Sequence, residues 1–346
     1  MPMSGGLWGT IPIAASEAAH AWDALWYFLF AVCVVFFVIV VVPMVWFAIA
    51  YRDKPGRRAS GPSHNLPLEV IWTAIPTVIV MVIFVWGWLV YKKMELDIPP
   101  DAMEVHVVAQ RWSWSFQYDD GRITTNQLFV PVNKPVKLIL TSKREDVLHS
   151  FFVPNFRVKK DTVPGMYTTT WFRAQIVGQH QIFCTEYCGT GHSAMLAKVV
   201  VLDEENWKLW KWGKDVELPP AIGLGSYQLP TTAASLDATS TLASNKQGTV
   251  SLSKEGEKLF QTRGCVACHS GAAGSIGPDL HGVFGHEVEL TDGSKVLVDE
   301  NYIRESILQP QKKVVKGYEG VLMPPYMGQF TDMELNALVS YLKELK

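Results

Sequence analysis

The chain has 346 residues, of which 48% are hydrophobic and 18% charged, so two or three folding units are expected. Its formal net charge is −2, which argues against nucleic acid as a partner because no basic excess is available to neutralise phosphates. Only five cysteines occur, and four of them form two close pairs, C-x-x-x-C and C-x-x-C. Close pairs in a cysteine-poor chain favour metal or haem chemistry over a disulfide framework.

Two uncharged apolar runs near the N-terminus predict membrane-spanning helices. Residues 24–50 form a run of 27 residues and residues 70–91 a run of 22. At about 1.5 Å per residue, either run is long enough to cross roughly 30 Å of hydrocarbon. The alternative is a pair of buried core helices, but globular helices rarely stay apolar on every face for this length.

The basic residues predict the orientation of this hairpin. No Lys or Arg precedes the connection between the two runs, which holds Arg52, Lys54, Arg57 and Arg58. The positive-inside tendency therefore places the connection in the cytoplasm. The N-terminal segment (1–23) and all residues after Tyr91 then lie on the extracytoplasmic side of the membrane. We predict a transmembrane hairpin over residues 24–98.

Residues 99–217 are predicted to form an all-β domain. Polar and apolar residues alternate over 104–110, aromatic and polar residues alternate over 112–118, and four further short runs are rich in β-formers. Pro, Gly and Asn separate these runs, a spacing that is typical of a β-sandwich or barrel.

The last part of the chain is predicted to be a linker followed by a separate domain. Residues 218–250 are rich in Ala, Ser, Thr, Pro and Gly, which indicates a flexible linker. Residues 251–346 begin with a serine N-cap and helical spacing, and they end in an amphipathic stretch from Thr331 onwards. This domain is therefore expected to be mainly helical.

A segment of twelve residues, Cys184-Thr-Glu-Tyr-Cys188-Gly-Thr-Gly-His192-Ser-Ala-Met195, holds two thiols, an imidazole and a thioether. Soft sulfur together with imidazole selects copper or zinc over calcium or magnesium. A mononuclear blue-copper site uses one cysteine, whereas two cysteines on a folded loop would bridge two metals. A disulfide or a zinc site is the alternative for the two thiols. The β-domain offers three candidates for a second imidazole: His106, His149 and His180.

The segment resembles the CuA motif of cytochrome c oxidase subunit II, C-x-E-x-C-G-x-G-H-x-x-M, at every defined position. The sequence L-H-S-F-x-V-P around His149, our choice for the second imidazole, resembles the same family, and so does Asp161-Thr-Val-Pro-Gly165. The resemblance implies a cupredoxin-like fold with a binuclear copper centre. Its implied ligands are the bridging Cys184 and Cys188, the terminal His149 and His192, the axial Met195 and the backbone carbonyl of Glu186.

The same resemblance implies three further roles. The carboxylate of Glu186 would help to hold a magnesium ion at the junction with subunit I. Trp112 would mark the surface where electrons enter the copper centre, although a β-strand with an aromatic core face explains part of that run as well. Glu69 would stand at the mouth of a proton pathway into subunit I; otherwise it is a solvated carboxylate favoured by a helix N-terminus.

The motif Cys265-Val-Ala-Cys268-His269 indicates covalent attachment of haem c, with His269 as the proximal ligand. A thioredoxin-like C-x-x-C would need a βαβ context, which is missing here. The tail resembles class I cytochromes c, in which the carbonyl of a proline, here Pro278, orients the proximal histidine. The resemblance implies Met323, in M-P-P-Y, as the distal ligand. The weaker alternatives are Met327, His281 and His286.

Taken together, the chain resembles the cytochrome-c-fused form of oxidase subunit II. This implies a multi-domain membrane protein with a two-helix transmembrane hairpin, an all-β cupredoxin-like domain and an all-α cytochrome c domain. Such a non-catalytic subunit passes electrons from cytochrome c or another respiratory complex through haem c and CuA to the haem of subunit I, where oxygen reduction is coupled to proton pumping. The implied partners are subunit I and other membrane subunits. The implied location is a bacterial inner membrane, with the N-terminus and both redox domains on the periplasmic side.

Other functions share part of this pattern. The electron-input subunit of a CuA-type nitric oxide reductase differs only in its partner chain. A membrane-tethered electron carrier would need one anchor helix, and a copper-storage or copper-delivery protein would have no use for covalent haem. Quinol oxidase subunits lack the copper ligands that are intact here.

Overall fold

The computed structural model describes residues 11–56, 61, 64–223, 251–271, 275–326 and 329–345. Of the linker predicted over residues 218–250, only the first six residues fall in these ranges. Met327, the rival distal ligand, lies outside the described residues, as do Arg57 and Arg58 of the basic connection.

Two long helices occupy the predicted membrane spans. Helix α1 is Glu17–Ala50 and helix α2 is Leu66–Tyr91, and a short π-helical turn, Lys92–Leu96, continues α2. The mean hydropathy of their most apolar windows reaches 3.2 and 2.3, and these windows are not buried within the chain. Helices of this kind expose apolar side chains on all faces, as lipid-facing helices do.

Helix α1 begins earlier than the predicted span, because its first turns pack on the β-domain rather than in lipid. The side chain of Ser16 caps the helix by accepting from the N–H of Ala19 and also donates to the carbonyl of Phe156 at 2.9 Å. Asp23 accepts from Nε of Arg157 at 2.8 Å. The start of α1 is therefore joined to the β-domain by side-chain bonds.

Ten strands form two five-stranded sheets. The first sheet has the order β3-β2-β1-β5-β8 and the second has the order β4-β10-β9-β6-β7. Within them, β1 pairs with β5 and β4 with β10 in parallel, and the other pairs are antiparallel. The strands are β1 (Met103–Gln110), β2 (Ser113–Tyr118), β3 (Ile123–Thr125), β4 (Gln127–Pro131), β5 (Pro135–Ser142), β6 (His149–Val153), β7 (Val158–Thr162), β8 (Thr168–Arg173), β9 (Gly178–Cys184) and β10 (Leu196–Leu202).

One core fills the space between the two sheets. Side chains of alternate residues on β1 and β2, among them Val107 and Phe116, face Leu128, Phe151 and Ile182 of the second sheet. The short helix α3, Glu204–Lys211, closes one side and stacks its Trp210 on Phe129 at 5.0 Å between ring centroids. This packing gives the predicted copper ligands a rigid base.

The described residues of the C-terminal domain form three helices and one small hairpin. The helices are α4 (Leu252–Thr262), α5 (Glu300–Leu308) and α6 (Asp332–Glu344), and the hairpin strands are β11 (Glu287–Glu289) and β12 (Lys295–Leu297). Helices α4 and α6 cross at Gly256, where a Cβ atom would stand 2.0 Å from the carbonyl oxygen of Ala337. Helix α6 begins with a capping box of Thr331 and Glu334. The hairpin is an addition to the mainly helical domain that the sequence predicts.

Candidate metal centre and haem cavity

Three strand ends bring the predicted copper ligands together. His149 begins β6, Cys184 ends β9, and Met195 directly precedes β10. Strands β6 and β9 are paired, with Phe151 opposite Cys184. The segment from Cys184 to Met195 folds back between β9 and β10, so its side chains meet His149 at one end of the sandwich.

The donor atoms lie in contact with one another. Cys184 Sγ is 3.8 Å from Cys188 Sγ and 3.8 Å from Nδ1 of His149. Cys188 Sγ is 3.5 Å from Nδ1 of His192 and 3.9 Å from Sδ of Met195. The carbonyl oxygen of Glu186 is 3.3 Å from Cys184 Sγ. One imidazole thus stands beside each thiol.

This donor set fits a thiolate-bridged metal centre. Metal–thiolate bonds are about 2.3 Å long, so two sulfurs at this separation are close enough for one metal atom to bond both. Burial and the neighbouring Cys184 raise the pKa of the Cys188 thiol to about 12. Two thiolates this close repel each other, so a bound cation is what would stabilise the deprotonated pair. Both cysteines are free thiols here, not a disulfide.

Asp146 is a site residue that sequence reasoning missed. His149 is fully buried, and its Nε2 lies 3.9 Å from Oδ1 of Asp146. The carboxylate of Asp146 accepts hydrogen bonds from the backbone N–H of Arg111 at 2.6 Å and from the backbone N–H of Val147 at 2.8 Å. Burial lowers the pKa of His149, which keeps the ring neutral and able to act as a ligand. An acidic residue three positions before the predicted ligand was the available signal.

The other two histidines of the β-domain lie elsewhere. His180 is buried against Phe156 and bonds the carbonyl of Ile176 at 3.0 Å. His106 is buried on the outer face of β1, beside the ring of Tyr167. Among the described imidazoles of this domain, only His149 and His192 reach the two thiols.

Trp112 covers the copper loop, which is the predicted metal-binding segment from Cys184 to Met195. Its indole N–H donates to the carbonyl of Cys188 at 3.2 Å, and the side chain is 42% exposed. A Cβ atom at Gly191 would stand 2.4 Å from the indole ring, so only glycine permits this close approach. The indole ring of Trp112 therefore lies between the solvent and the backbone of Cys188, a predicted copper ligand.

The two acidic residues with predicted roles are partly exposed. The carboxylate of Glu186 is 3.6 Å from Nζ of Lys159, and its side chain is 41% exposed. Glu69 lies in the first turn of α2 and accepts from the N–H of Asn65 at 3.2 Å. Among the residues that the structure describes, Glu186 does not belong to a cluster of three or more side chains that could hold a metal ion.

A cavity of about 490 Å³ occupies the centre of the C-terminal domain. Both cysteines of the C-x-x-C-H motif, His269 and Met323 line it, together with mostly apolar side chains. Nδ1 of His269 donates to the carbonyl oxygen of Pro278 at 2.9 Å, which leaves Nε2 free to bind iron. A Cβ atom at Gly277 would stand 2.7 Å from the imidazole. Donors and cavity fit a covalently bound haem.

The alternative distal histidines do not line this cavity. His281 is exposed and bonds Asp279 at 2.5 Å, and His286 is exposed in the turn before β11. Among the described candidates, Met323 alone lies on the cavity wall with His269.

The fold and the two sites define a membrane protein with a cupredoxin-like domain and a cytochrome c domain, and comparison with known proteins leads to the same class. The family profile "Cytochrome C oxidase subunit II, transmembrane domain" matches residues 4–89, "Cytochrome C oxidase subunit II, periplasmic domain" matches residues 122–202, and "Cytochrome c" matches residues 253–346. The predicted fold class is confirmed.

Curated relatives specify the family. Cytochrome c oxidase subunit 2 of Thermostichus vulcanus is 30% identical over 257 residues, covering 59% of this chain and 78% of the relative. Alternative cytochrome c oxidase subunit 2 of Bradyrhizobium diazoefficiens is 33% identical over 205 residues, covering 50% and 73%. Cytochrome c oxidase subunit 2 of Alkalihalophilus pseudofirmus is 27% identical over 330 residues, covering 91% of this chain and 85% of the relative. The chain belongs to the cytochrome c oxidase subunit II family and carries a cytochrome c domain in addition.

A similar solved structure is the periplasmic domain of subunit II of cytochrome oxidase from Bradyrhizobium japonicum. It is 28% identical, with a TM-score of 0.31, and the match covers 33% of this chain and 93% of that one.

Proposed function

We propose that this chain is the electron-input subunit of a respiratory haem–copper oxidase, a non-catalytic subunit that takes electrons at haem c and delivers them through a copper pair to the haem of subunit I. The observation that carries the proposal is the donor set of two thiols and two imidazoles, in which each sulfur lies within 3.8 Å of one imidazole nitrogen. Oxygen reduction and proton pumping would then take place in subunit I.

The residues around the copper pair have distinct tasks. Cys184 and Cys188 would bridge the two metals. His149 and His192 would each be the terminal ligand of one metal. Met195 and the backbone carbonyl of Glu186 would be weak axial ligands. When bound, such a bridged pair exchanges one electron with little change in its bonds. The strands on both sides hold these donors in one arrangement, which keeps the reorganisation energy small.

The haem side is built for electron transfer rather than substrate chemistry. His269, fixed by Pro278, and Met323 would fill both axial positions, so no coordination position remains for a substrate. His/Met ligation also raises the reduction potential. Cys265 and Cys268 would hold the haem covalently.

Three residues that are at least partly exposed carry proposed roles at the boundaries with partners. Trp112 would be a point where electrons from a docked donor enter the copper centre, since its ring connects solvent with Cys188. Glu186 would contribute to a magnesium site completed by subunit I. Glu69 would stand at the cytoplasmic mouth of a proton pathway.

The proposed location is a bacterial inner membrane, with the N-terminus, the copper domain and the haem domain on the periplasmic side. The partners would be subunit I, other membrane subunits and either cytochrome c or another respiratory complex as donor. A nitric oxide reductase subunit would share all these features, and the chains that co-purify with this one separate the two functions.

Metal analysis of the full chain, purified from membranes with its partner subunits, tests the proposal. We expect two coppers for each haem iron, a two-copper EPR signal and a c-type haem that resists acid–acetone extraction. Met323→Ala should abolish the low-spin His/Met spectrum, whereas Met327→Ala should preserve it. Fewer than two coppers per iron would contradict the binuclear centre, and the reverse result for the two methionines would reassign the distal ligand.

A further inference from the structure

The haem domain is docked on the outer face of the first sheet through four alternating charges. Nζ of Lys137 lies 3.0 Å from Glu104 and 3.2 Å from Glu300, and Nζ of Lys343 lies 2.5 Å from Glu104 and 3.1 Å from Glu300. Glu104 and Lys137 belong to the first sheet, whereas Glu300 and Lys343 belong to the haem domain. Each charge therefore has an opposite charge across the interface.

Tyr167 is the centre of this interface. Its backbone N–H donates to Oδ1 of Asn301 at 2.6 Å, and its carbonyl accepts from Nδ2 of the same side chain at 3.0 Å. Its hydroxyl donates to Asn336 at 2.6 Å, and the Arg304 guanidinium lies 4.8 Å from the ring centroid. Tyr167 is only 2% exposed. The haem domain thus binds the backbone of Tyr167 through Asn301 and contacts its side chain through Asn336 and Arg304.

Helix α5 forms a common wall between Tyr167 and the haem cavity. Asn301 and Arg304, on one side of the helix, contact Tyr167. Tyr302 and Ile303, on the other side, line the cavity that also holds His269. One helix is therefore all that separates the cavity from the copper domain at this position.

A bonded route continues from Tyr167 to the copper ligand His149. The next residue, Thr168, donates from its hydroxyl to the carbonyl of Asp161 at 2.5 Å. Thr162, which follows Asp161, donates from its hydroxyl to the carbonyl of His149 at 3.1 Å and is paired with it across β6 and β7. Two hydrogen bonds and the covalent chain between them therefore connect the interface with His149.

We propose that Tyr167 is the point at which electrons from this chain's own haem domain enter the copper domain, and that Thr168 and Thr162 relay them to His149. Trp112 then serves a different donor surface, because its contacts are with the copper loop. The inference rests on the function proposed above and adds the internal route to it. Tunnelling is more efficient through bonds and hydrogen bonds than across gaps of the same length.

The step is a transfer of one electron. With both groups bound, one electron would leave the iron held by His269 and arrive at the metal pair held by Cys184 and Cys188. The residues of the route provide electronic coupling only, so that none of them changes its oxidation state and no bond to hydrogen breaks.

Thr168→Val tests the route, since it removes the hydroxyl and keeps the shape. In the full chain with its partner subunits, we expect the single-turnover rate from reduced haem to copper to fall severalfold. Thr168→Ser should restore it, and Thr169→Val, on the same strand but outside the route, should leave it at the wild-type value. A wild-type rate in Thr168→Val would overturn the proposal, as would a slower rate in Thr169→Val.

Hydrogen exchange gives a measurement that does not depend on electron flow. The amides of Tyr167 and Leu252 donate across the interface, the latter to the carbonyl of Asp119 at 2.6 Å. Asn301→Ala should speed exchange at Tyr167 about tenfold, as expected for the loss of an interface hydrogen bond, and should slow electron transfer. Thr168→Val should leave both amides protected. Equal protection in wild type and Asn301→Ala would contradict the docked interface.

The two proposals fail in different ways. If the wild-type chain lacks two coppers or the haem, the proposed function fails. If it holds both and transfers electrons, while Thr168→Val does so at the same rate, only the internal route is wrong.

Discussion

At the scale of single residues, the contact between Gly191 and Trp112 controls the surface over the copper loop. A Cβ atom would lie 2.4 Å from the indole, so Gly191→Ala should displace Trp112 and lower the free energy of unfolding by about 1–3 kcal/mol. Hydroxyl-radical footprinting of the full chain should show faster oxidation of Trp112. Gly320→Ala is the control because nothing lies within 4 Å of its added methyl group. An unchanged Trp112 in Gly191→Ala would contradict the packing.

His106 should make stability depend on pH. Burial lowers its pKa from 6.5 to about 4, with Lys343 and Lys137 lowering it further and Glu104 and Glu300 raising it. The unfolded chain takes up a proton below pH 6.5 that the folded chain resists. The free energy of unfolding therefore has its full value above pH 6.5. It decreases by about 3 kcal/mol as the pH falls toward 4, as expected for a pKa shift of this size.

Urea unfolding of the full chain in detergent, followed by circular dichroism at several pH values, measures this slope. His106→Gln should flatten it between pH 6.5 and 4. His286→Gln changes an exposed histidine and should leave the slope as in the wild type. A slope that survives in His106→Gln would assign the effect to other groups.

At the scale of elements, the crossing of α4 and α6 depends on Gly256. Because its Cβ position is 2.0 Å from a carbonyl oxygen of α6, Gly256→Ala should separate the helices and destabilise the haem domain by about 1–3 kcal/mol. Thermal unfolding followed at the haem absorption band measures the loss. Glu257→Ala, at the exposed neighbouring position, should melt like the wild type; similar melting of Gly256→Ala would show that the crossing tolerates a methyl group.

Local elements of the site were predictable from the sequence, whereas long-range ones were not. The thiols, His192 and Met195 fall within one loop, so their spacing alone predicts a metal site. His149 comes from another strand, and its residue type does not distinguish it from His106 or His180; the family resemblance was needed. Helix α1 extends beyond the predicted span 24–50, because Asp23 ends the uncharged run whereas the helix continues through it and its carboxylate binds Arg157.

At the scale of the whole molecule, the docked position of the haem domain was beyond sequence reasoning. Glu104, Lys137 and Gln117 alternate with apolar residues on their strands, which is the pattern of a solvent-facing side. In the structure, this side carries the haem domain, and Asn336 donates to Gln117 at 3.0 Å. A polar sheet face looks the same in sequence whether water or a polar domain covers it.

The attachment of helix α1 to the β-domain should depend on Arg157. Its side chain is nearly buried and binds Asp23 at 2.8 Å and the carbonyl of Pro12 at 2.6 Å. Arg157→Ala removes this partner of Asp23. The free energy that holds the start of α1 on the β-domain should therefore decrease by about 3 kcal/mol. Hydrogen exchange at Ala15 and Gln175, which bond across this junction, should then accelerate.

Lys208→Ala is the matched control for this prediction, because Lys208 forms an exposed ion pair with Glu204 at 2.8 Å. It should leave exchange at Ala15 and Gln175 unaltered. Unchanged exchange in Arg157→Ala would mean that the backbone bonds alone hold the anchor.

The bonded start of α1 has a mechanical consequence. Because one uninterrupted helix runs from Ser16 into the bilayer, a change in its tilt must turn the β-domain with it. Long apolar helices tilt more in thinner bilayers. Lipid chain length should thus adjust the angle at which the copper pair faces the membrane surface, and reconstitution in short-chain and long-chain lipids would alter electron delivery without any change of sequence.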